Sequence, residues 1–539
     1  MPEVPVVVVG AGLAGLATAV AAARRGHRVT ILEKTTQVGG AASYSGGQVW
    51  IAANHLQRAQ GLEDSIEDGA RYVRALGADH PELIDSSALD RWLSQAPRAA
   101  EYFEQVGAVT WSLIPDYPDY YQDAPGARST GRYLTASYDA RKLGDWRDRL
   151  RVSPHFPVGT TYSELLGAGL RASAFGTAPE AGEIRRSDLL TFGTGVVGGF
   201  LTSALEHHVD IRLEHDVADL ECDDRGRVVG VISRTPEGHP ERFPGAVVLA
   251  TSGYDWDDDL SMRYLGLKPE DRGSVAPTSV SGDGIRLAQR AGGTITEIPR
   301  NRVPIQLGYP TDHEPGYAVA REHSLPHTFI VDRNGKRFAD DAVYWEVVKH
   351  VLDPKTLRLP CWMIWDEQHH QKYGLGSTAP GAQYPPGLVE SAGSLQELGV
   401  RLGINGQQLA ETAHRFNSAA AAGVEPEFGR GSNLTWQKFQ GDPKQEPHPN
   451  LGPVDHAPFY GMRLRMISTG IGLTGISVDS DGRVLDDARV PIHGLYAAGA
   501  AAAFNSSGAA YNSGFSLSRA ITLGWLVAER IAHDLPGSR

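Results

Sequence analysis

The chain has 539 residues, of which 41% are hydrophobic and 21% are charged, a composition typical of a large folded protein with two or more domains. Its formal net charge of -13 argues against a nucleic-acid partner, because DNA and RNA are themselves polyanions. The two cysteines, Cys222 and Cys361, have neither metal-ligand spacing nor a disulfide framework, so we expect no metal site and a reducing, cytoplasmic location.

A hydrophobic membrane span is not expected either. The most apolar stretch, Leu189–Leu205, is interrupted by glycines and flanked by Asp188 and Glu206, so it predicts a buried element instead. Pro2 and Glu3 stand where a secretory signal would carry basic residues, and we therefore expect no signal peptide. Peripheral contact with a membrane or lipid, and hence membrane association, stays open.

The stretch Val6–Lys34 predicts a dinucleotide-binding βαβ unit. Its apolar run Val6–Val9 predicts a buried strand, and Val29–Leu32 predicts a second strand after an alanine-rich helix. Glycines at GxGxxG spacing let the backbone turn tightly and approach a pyrophosphate, and an acid after the second strand can bind ribose hydroxyls. The cofactor-binding residues predicted here are Gly10, Gly12, Leu13, Ala14, Gly15, Glu33 and Lys34.

A second cluster of small residues, Val38–His55 (VGGAASYSGGQVWIAANH), narrows the choice of dinucleotide. Small side chains let the backbone run close to a bulky planar group. An NAD enzyme has no need of this cluster, whereas an FAD enzyme must pass the chain along the ribityl group and the flavin. The residues predicted to contact FAD here are Gly39, Gly40, Ala41, Ala42, Ser45, Gly46 and Gly47.

Further along the chain, helical spacing over Leu89–Val106 gives way to the aromatic loop Trp111–Tyr121 (WSLIPDYPDYY). Such a loop is either a satellite core or a surface on which a flat apolar ligand stacks. Buried strands are predicted in Gly245–Tyr254 and Ile492–Gly499, and a helix begins in Ser281–Leu287. The cofactor contacts expected in these segments and elsewhere in the later part of the chain are Val217, Ala250, Thr251, Gly253, Asp283, Gly499, Ala500, Ser516 and Leu517.

These patterns predict an α/β protein in which the cofactor domain is interrupted by an insertion. We expect residues 1–287 and 456–539 to form the cofactor-binding domain and residues 288–455 to form a second domain. The second domain contains a predicted buried strand, Cys361–Asp366, and a helix, Ala410–Ala422.

Several motifs spread over nearly the whole chain carry a family resemblance. They are GAGLAGL, SGGQVW, PDYYQDAPG, NGKRFADDAVY, FGRG…GDP, LGPVDHAPFY, GLYAAG and AAYNSGFSLSRAITLG. Through them the chain resembles the succinate dehydrogenase/fumarate reductase flavoprotein superfamily, and within it the 3-ketosteroid Δ1-dehydrogenase branch. The resemblance implies a Rossmann-like FAD-binding domain whose parallel sheet is discontinuous in sequence, an inserted α+β catalytic domain, and an active site between the two.

Residue types also discriminate within the superfamily. The arginines with which fumarate reductases donate a proton and clamp a dicarboxylate would fall near Trp345 and Tyr511, and neither position is charged. The histidine that binds FAD covalently in complex II enzymes is missing from the segment Gly39–Ala42. The resemblance therefore implies non-covalent FAD and a substrate other than a dicarboxylate.

The reaction implied is the removal of two hydrogens from adjacent carbons beside a ring ketone. By resemblance, Tyr511 donates a hydrogen bond to the ketone, Tyr344 abstracts the α proton, and Tyr120 assists it, with Tyr121 as the less favoured choice. The β hydrogen leaves as hydride to flavin N5. An external electron acceptor, such as a quinone, a dye or O2, then reoxidises the enzyme.

One segment departs from the Δ1 pattern. The glycine expected four residues after Tyr511 is Phe515, so Gly514 is predicted to supply the backbone N–H to the ketone, and Ser513 resembles the proton-transfer serine of the Δ4-(5α)-dehydrogenases. This leaves open Δ4-(5α) chemistry and desaturation of another cyclic ketone. An ene-reductase driven by a partner's electrons and a flavin-containing sterol-binding protein without turnover also stay open.

Overall fold

The computed structural model describes residues 5–156, 159–167, 188–356, 358–432 and 439–534, so part of the FGRG…GDP motif lies outside the described residues. The helices predicted after the first strand, over Leu89–Val106, at Ser281–Leu287 and over Ala410–Ala422 are present, and the described residues contain further helices that were not predicted individually. The described helices are α1 Leu13–Ala23, α2 Gly40–Tyr44, α3 His55–Ala59, α4 Ile66–Leu76, α5 Ser86–Gln105, α6 Tyr162–Gly167, α7 Phe192–Glu206, α8 Asp258–Leu265, α9 Asp283–Arg290, α10 Tyr344–Val351, α11 Glu367–Lys372, α12 Leu395–Leu402, α13 Gly406–Ala421 and α14 Phe515–Asp534.

The strands of the described residues form several sheets. They are β1 Val6–Val9, β2 Val29–Leu32, β3 Val49–Trp50, β4 Ser112–Leu113, β5 Tyr133–Thr135, β6 Tyr138–Asp139, β7 Leu189–Leu190, β8 Asp210–Arg212, β9 Asp216–Cys222, β10 Val228–Arg234, β11 Pro240–Pro244, β12 Ala246–Leu249, β13 Arg272–Ser274, β14 Ile295–Thr296, β15 Gln306–Pro310, β16 Tyr317–Val319, β17 Thr328–Asp332, β18 Cys361–Asp366, β19 Glu390–Ala392, β20 Phe459–Ser468, β21 Gly475–Ile476, β22 Arg483–Leu485 and β23 Pro491–Ala497.

The predicted βαβ unit lies at the centre of a six-stranded sheet with the order β22-β23-β12-β1-β2-β8. Strands β1, β2, β8, β12 and β23 are parallel, and β22 is antiparallel at the edge. Strand β1 is apolar and buried throughout because it has a neighbouring strand on each side and lies inside the domain. The sheet draws on both ends of the chain, which confirms the predicted Rossmann-like fold with a discontinuous parallel sheet.

Helix α1 packs against the sheet and against the last helix, α14. Its residues Leu13 to Ala22 are all buried, so it lies between other elements instead of facing solvent. The small side chains let the two helices approach closely: a Cβ added at Gly524 would lie 2.9 Å from the carbonyl oxygen of Ala14. Helix α7 corresponds to the apolar stretch Leu189–Leu205 and is likewise mostly buried.

A second, mainly antiparallel sheet has the order β16-β15-β20-β18-β17, and β13 and β19 also pair with β20. Helices α12 and α13 pack on its far side through an apolar cluster of their own. The long strand β20 joins β15 and β18, although it follows residue 455. The domain boundaries stay a prediction, and this pairing favours an end of the insertion after Ser468.

Among the described residues, none of the helices is long and apolar enough to cross a membrane.

Candidate active site

A cavity of about 680 Å³ lies between the two sheets. One wall is formed by the carboxyl ends of four parallel strands, β1, β2, β12 and β23, where α/β sheets usually bind their ligands. The other wall comes from β15 and β16 of the second sheet and from the aromatic loop around Tyr117. The predicted cofactor and catalytic residues converge on this cavity from distant parts of the chain.

The glycine-rich turn after β1 has the geometry of a dinucleotide cradle. Gly10 has a φ of +104°, and a Cβ there would lie 2.6 Å from the carbonyl oxygen of Ala250. Gly15 has no room for a side chain either, because its Cβ would meet the carbonyl oxygen of Gly10. Gly12 is different: its backbone is extended with a φ of -78°, and the nearest atom to an added Cβ is the Gly39 oxygen at 3.9 Å.

Glu33 closes this end of the cavity. Its carboxylate accepts hydrogen bonds from the N–H groups of Ala11 and Thr35, both at 3.0 Å. The neighbouring Lys34 forms an ion pair with Asp283 at the start of α9. Oε1 of Glu33 accepts a second hydrogen bond from the Thr35 hydroxyl at 2.9 Å, whereas Oε2 accepts only the one from Ala11 in the described part of the chain. Oε2 therefore has a lone pair left with which Glu33 is placed to bind a ribose as well as to fix the glycine turn.

Most of the predicted cofactor residues line the cavity. These are Gly10, Gly12, Leu13, Ala14, Glu33, Lys34, Gly40, Ala41, Ala42, Ser45, Gly46, Val217, Ala250, Thr251, Asp283, Gly499, Ala500, Ser516 and Leu517.

Four predicted cofactor residues, Gly15, Gly39, Gly47 and Gly253, do not line the cavity, and the structure gives these positions packing roles instead. Gly39 and Gly47 have φ values of +125° and +70°, and a Cβ would collide with Ser43 in the first case and with the Phe192 backbone in the second. Gly253 lies against Gly472, whose nitrogen would be 3.3 Å from an added Cβ.

The residues present fit the FAD predicted from the sequence. Helix α1 begins after Gly12 without a side-chain cap, so its first N–H groups are available to a pyrophosphate. The Thr251 hydroxyl is buried at the cavity wall without a hydrogen-bond partner among the described residues. Helix α14 also places its first turn, Ser516 and Leu517, at the cavity, where its N-terminal dipole favours negative charge.

Substituting Gly12→Val separates cofactor binding from folding. The extended backbone at Gly12 accepts a side chain, but that side chain would occupy the wall that faces the pyrophosphate. We expect a folded protein whose flavin content falls at least tenfold, measured by absorbance of the supernatant after acid precipitation; wild-type flavin recovered there also tests non-covalent binding. The exposed Gly393→Val is the matched control and should keep its flavin; full flavin content in the Gly12 variant would contradict the assignment.

The predicted base and its helper form a pair. The Tyr344 hydroxyl donates a hydrogen bond to the Tyr120 hydroxyl at 3.5 Å, and both side chains line the cavity. Tyr344 opens helix α10, while Tyr120 belongs to the aromatic loop and stacks on Trp345 at 4.5 Å between ring centroids. Tyr121 does not line the cavity, so the geometry favours Tyr120 over its neighbour.

Ser513 and Tyr117 extend this pair into a chain of hydroxyl groups. Ser513 lines the cavity, and its side chain hydrogen-bonds to both Tyr120 and Tyr117. Tyr117 in turn accepts a hydrogen bond from Gln48 at 3.2 Å. Sequence reasoning found Ser513 but treated Tyr117 only as a member of the aromatic loop; its spacing of three residues from Tyr120 was the available signal.

The predicted ketone-binding residue, Tyr511, reaches the same cavity. Its neighbour Gly514 also lines it, with a φ of +81° just before α14 begins. Phe515, the unexpected residue, is fully buried and packs against Trp50 and Trp92 at 4.9 and 5.1 Å. The side chain of Phe515, which departs from the Δ1 pattern, therefore points into the core and leaves the cavity open beside Gly514.

Asn512, which the sequence did not single out, joins the catalytic segments. Its side-chain oxygen accepts hydrogen bonds from the Tyr120 N–H and the Tyr72 hydroxyl, both at 2.9 Å. Its amide nitrogen donates to the Tyr133 hydroxyl at 2.7 Å. Asn512 is completely buried, so it holds the Tyr120 loop at a fixed position relative to Tyr511.

A buried group of three charged side chains holds the same loop in place. Asp119 accepts hydrogen bonds from the Trp50 indole at 2.7 Å and from Arg132 at 2.9 Å. Arg132 also pairs with Asp64, and all three charged side chains are almost fully buried. Removing one partner would leave a buried charge without compensation, so this group rigidifies the support of Tyr120.

The tyrosines are held as neutral phenols at neutral pH. Burial raises the pKa of Tyr344 well above its ordinary value, and the neighbouring Tyr120 and Tyr511 raise it further. Burial also raises the pKa of Tyr120, while hydrogen bonds from Tyr344 and Ser513 partly offset the effect. Tyr120 accepts a hydrogen bond from the Tyr344 hydroxyl. When Tyr344 gives up its proton, the Tyr120 hydroxyl has to donate to the resulting phenolate in order to stabilise it. The two phenols are therefore placed to act as a proton relay.

Among the described residues, one group has metal-ligand spacing: Asp366, Asp455 and His456. Asp366 caps helix α11 and accepts the N–H groups of Asp455 and His456, at 2.9 and 3.0 Å. These bonds give the carboxylate a structural role far along the second sheet, and the group is not part of the cavity.

Comparison with known proteins identifies the family of the chain. The chain matches the FAD binding domain family over residues 5–517. It is 32% identical to 4-oxocyclohexanecarboxylate 2-dehydrogenase of Sinomonas cyclohexanicum, covering 99% of this chain and 93% of that protein. It is 28% identical to 3-oxosteroid 1-dehydrogenase of Mycolicibacterium smegmatis, covering 100% of this chain and 98% of that protein.

A solved structure is also similar over the full length. It is 3-ketosteroid Δ1-dehydrogenase from Sterolibacterium denitrificans in complex with 1,4-androstadiene-3,17-dione, with a TM-score of 0.87, 25% identity, and coverage of 99% of this chain and 100% of that chain. At this coverage the similarity includes both sheets. The chain therefore belongs to the FAD-binding family of flavoproteins and is an FAD-dependent oxidoreductase that acts on CH–CH groups.

Proposed function

We propose that this protein introduces a C=C double bond α,β to a ring ketone, with 3-ketosteroid Δ1-dehydrogenation as the first reaction to test. The observation that carries the proposal is the placement of Tyr344, Tyr120 and Tyr511 on one cavity whose other end fits FAD. The relatives from Mycolicibacterium and Sterolibacterium act by name on 3-ketosteroids, and the one from Sinomonas on a smaller ring ketone.

Each tyrosine has a distinct role in this proposal. Tyr511 and the N–H of Gly514 donate hydrogen bonds to the ketone oxygen, where negative charge develops as the α proton leaves. One such donor is commonly worth about 3–4 kcal/mol of transition-state stabilisation. Tyr344 takes the α proton, which the hydroxyl chain through Tyr120 and Ser513 passes on. FAD, when bound, accepts the β hydrogen as hydride.

Regiochemistry rests on the same segment. Ser513 contacts Tyr120, the helper of the base, and this contact supports a relay that serves proton abstraction by Tyr344. In a Δ4-(5α) reaction Ser513 would instead join Tyr511 in proton transfer. We favour the Δ1-type assignment because Tyr344 and Tyr120 form the direct pair.

The test is reduction of the bound flavin under anaerobic conditions. Purified holoenzyme is mixed with androst-4-ene-3,17-dione or with 4-substituted cyclohexanones, the bleaching of the oxidised flavin band is followed, and NMR locates the new double bond. A dye or a quinone then serves as electron acceptor for turnover. Bleaching by a ring ketone and an α,β-unsaturated product support the proposal; a flavin that no ring ketone reduces would refute it and favour a binding protein.

The reverse reaction is the alternative that this experiment also addresses. If the protein works as an ene-reductase, photoreduced flavin is reoxidised rapidly by an enone, and no saturated ketone bleaches the oxidised enzyme. Trp345 and Tyr511 occupy the positions where a fumarate reductase would carry its proton-donating and substrate-clamping arginines. Because neither residue is charged, the oxidative direction is favoured.

A further inference from the structure

One guanidinium group is buried in the cofactor-binding domain, outside the active-site cavity. Arg519 lies in helix α14 and is only 3% exposed. Its Nε donates a hydrogen bond to the Ser506 hydroxyl at 2.8 Å, and its Nη2 donates to the Ala503 carbonyl oxygen at 2.7 Å. The third nitrogen, Nη1, has no hydrogen-bond partner among the residues that the structure describes. One side of a buried cation is therefore left without a polar contact.

The charge of Arg519 also has no anionic partner in the described part of the chain. The guanidinium group lies over the Phe504 ring, with 3.9 Å between its central carbon and the ring centroid. Burial is the cause that lowers the pKa of Arg519, to about 9, so the group still carries its charge at pH 7. A cation taken out of water without an anion is unfavourable, and buried charges in proteins are normally paired. An anion that balances this charge has to come from solution.

A small cavity of about 20 Å³ lies against Arg519, where helices α5 and α14 pack together. Its wall includes Leu523 and Leu526, which share one face of α14 with Arg519, and Trp92 of α5. It has no lining residue in common with the active-site cavity. A single water molecule requires about 10–15 Å³, so this space accepts a water or a monatomic ion. Phosphate, sulfate and carboxylates are too large for it.

The cavity wall offers a second hydrogen-bond donor. The Ser506 hydroxyl lines the cavity and accepts its hydrogen bond from Arg519, so its own hydrogen remains available to donate. The acid on the wall, Asp479, is already engaged: its carboxylate pairs with Arg483 at 2.7 Å and accepts the N–H groups of Asp481 and Arg483, both at 3.0 Å. Asp479 is partly exposed, so the cavity can be reached from solvent on this side.

We propose that this cavity is a binding site for a monatomic anion, chloride, held by Nη1 of Arg519 and by the Ser506 hydroxyl. The ion balances the buried guanidinium charge, which a water in the same place does not do. Arg519 ties the chain at Ala503 and Ser506 to helix α14, and the loop that carries Tyr511 lies between these points. The bound ion therefore stabilises the folded protein and takes no part in the reaction, so the inference does not depend on the proposed function.

The first test is thermal unfolding of the holoenzyme in sodium chloride and in sodium gluconate at equal ionic strength. Gluconate is too large for the cavity, and equal ionic strength removes the general screening effect of salt. We expect chloride to raise the unfolding midpoint by about 1–3 °C and the effect to saturate, as binding to the folded state requires. In Arg519→Met this response should vanish. Arg225→Met, in the exposed turn between β9 and β10, makes the same charge change and should keep the response.

The second test locates the ion without any substitution. Crystals of the holoenzyme are soaked in sodium bromide, and anomalous diffraction shows where the heavier halide binds. We expect a peak in the cavity beside Nη1 of Arg519. If Arg519→Met does not fold, the wild-type chloride titration and the position of this peak together decide.

Three outcomes would overturn the inference. Equal wild-type midpoints in chloride and gluconate would assign the cavity to a water. A chloride response that survives in Arg519→Met would place the responsible ion elsewhere. A bromide peak without a saturable chloride response in solution would indicate an adventitious ion only. All of these measurements are made without substrate, so none of them bears on the proposed dehydrogenation.

Discussion

Replacing Tyr344 with phenylalanine should reduce the rate of flavin reduction by a ring ketone about 10²- to 10⁴-fold, the range over which a positioned general base contributes. The variant keeps the aromatic ring that packs at the start of α10, so the fold and flavin content should persist. Only the hydroxyl that donates to Tyr120 at 3.5 Å is lost. The measurement is anaerobic stopped-flow absorbance of the oxidised flavin band with saturating ketone.

Two further readouts separate loss of the base from a packing defect. Exchange of the ketone α proton with deuterium in the solvent should fall in parallel with flavin reduction. In the wild type the rate should rise with pH, because burial raises the pKa of Tyr344 and its deprotonated form is populated only in alkaline solution. The buried Tyr264→Phe, outside the cavity, is the matched control; a Tyr344 variant that stays within threefold of wild type would remove this residue from the mechanism.

Replacing Tyr511 with phenylalanine should lower kcat about 10²- to 10³-fold, with a smaller effect on KM. The hydrogen bond to the ketone strengthens as enolate charge develops, so its loss affects the transition state more than the bound substrate. Tyr511 is half-buried and its ring lies 6.4 Å from that of Phe515, so the ring itself should stay in place. Steady-state assays with a dye acceptor give kcat and KM separately.

Tyr254→Phe is the matched control for this second substitution, since Tyr254 is buried but does not line the cavity. Residual activity in the Tyr511 variant would be attributed to the backbone donor at Gly514. A variant with unchanged kcat and a raised KM would show that Tyr511 only contributes uniform binding, and the ketone would then need another donor.

The cofactor half of the site could be predicted closely from the sequence. The apolar run Val6–Val9, the glycine spacing and Glu33 are local features, and each specifies its own strand, turn or strand end. The local pattern could not distinguish glycines that line the cofactor cavity from glycines that only allow close packing. Gly12 lines the cavity whereas Gly15 does not, and this difference depends on which atoms of the fold approach each Cα.

The catalytic half depended more on the tertiary structure. Motifs indicated Tyr120 and Tyr344, but these residues are 224 positions apart, and their contact forms only when the aromatic loop packs against α10. Asn512, which fixes that loop, carried no local pattern because its partners come from three other segments. The same holds for strand β20, whose pairing with β18 could not be inferred from its own alternation.

The sequence by itself determined the FAD-binding βαβ unit and the α/β class and led to the prediction of the three tyrosines, because strand periodicity, glycine turns and family motifs are encoded over short stretches. Only the tertiary structure decided that Phe515 packs into the core beside Trp50 and that Tyr120 contacts Tyr344 at the cavity. Both depend on packing between residues far apart in the chain, where the space left by other elements, and not the local pattern, sets the direction of a side chain.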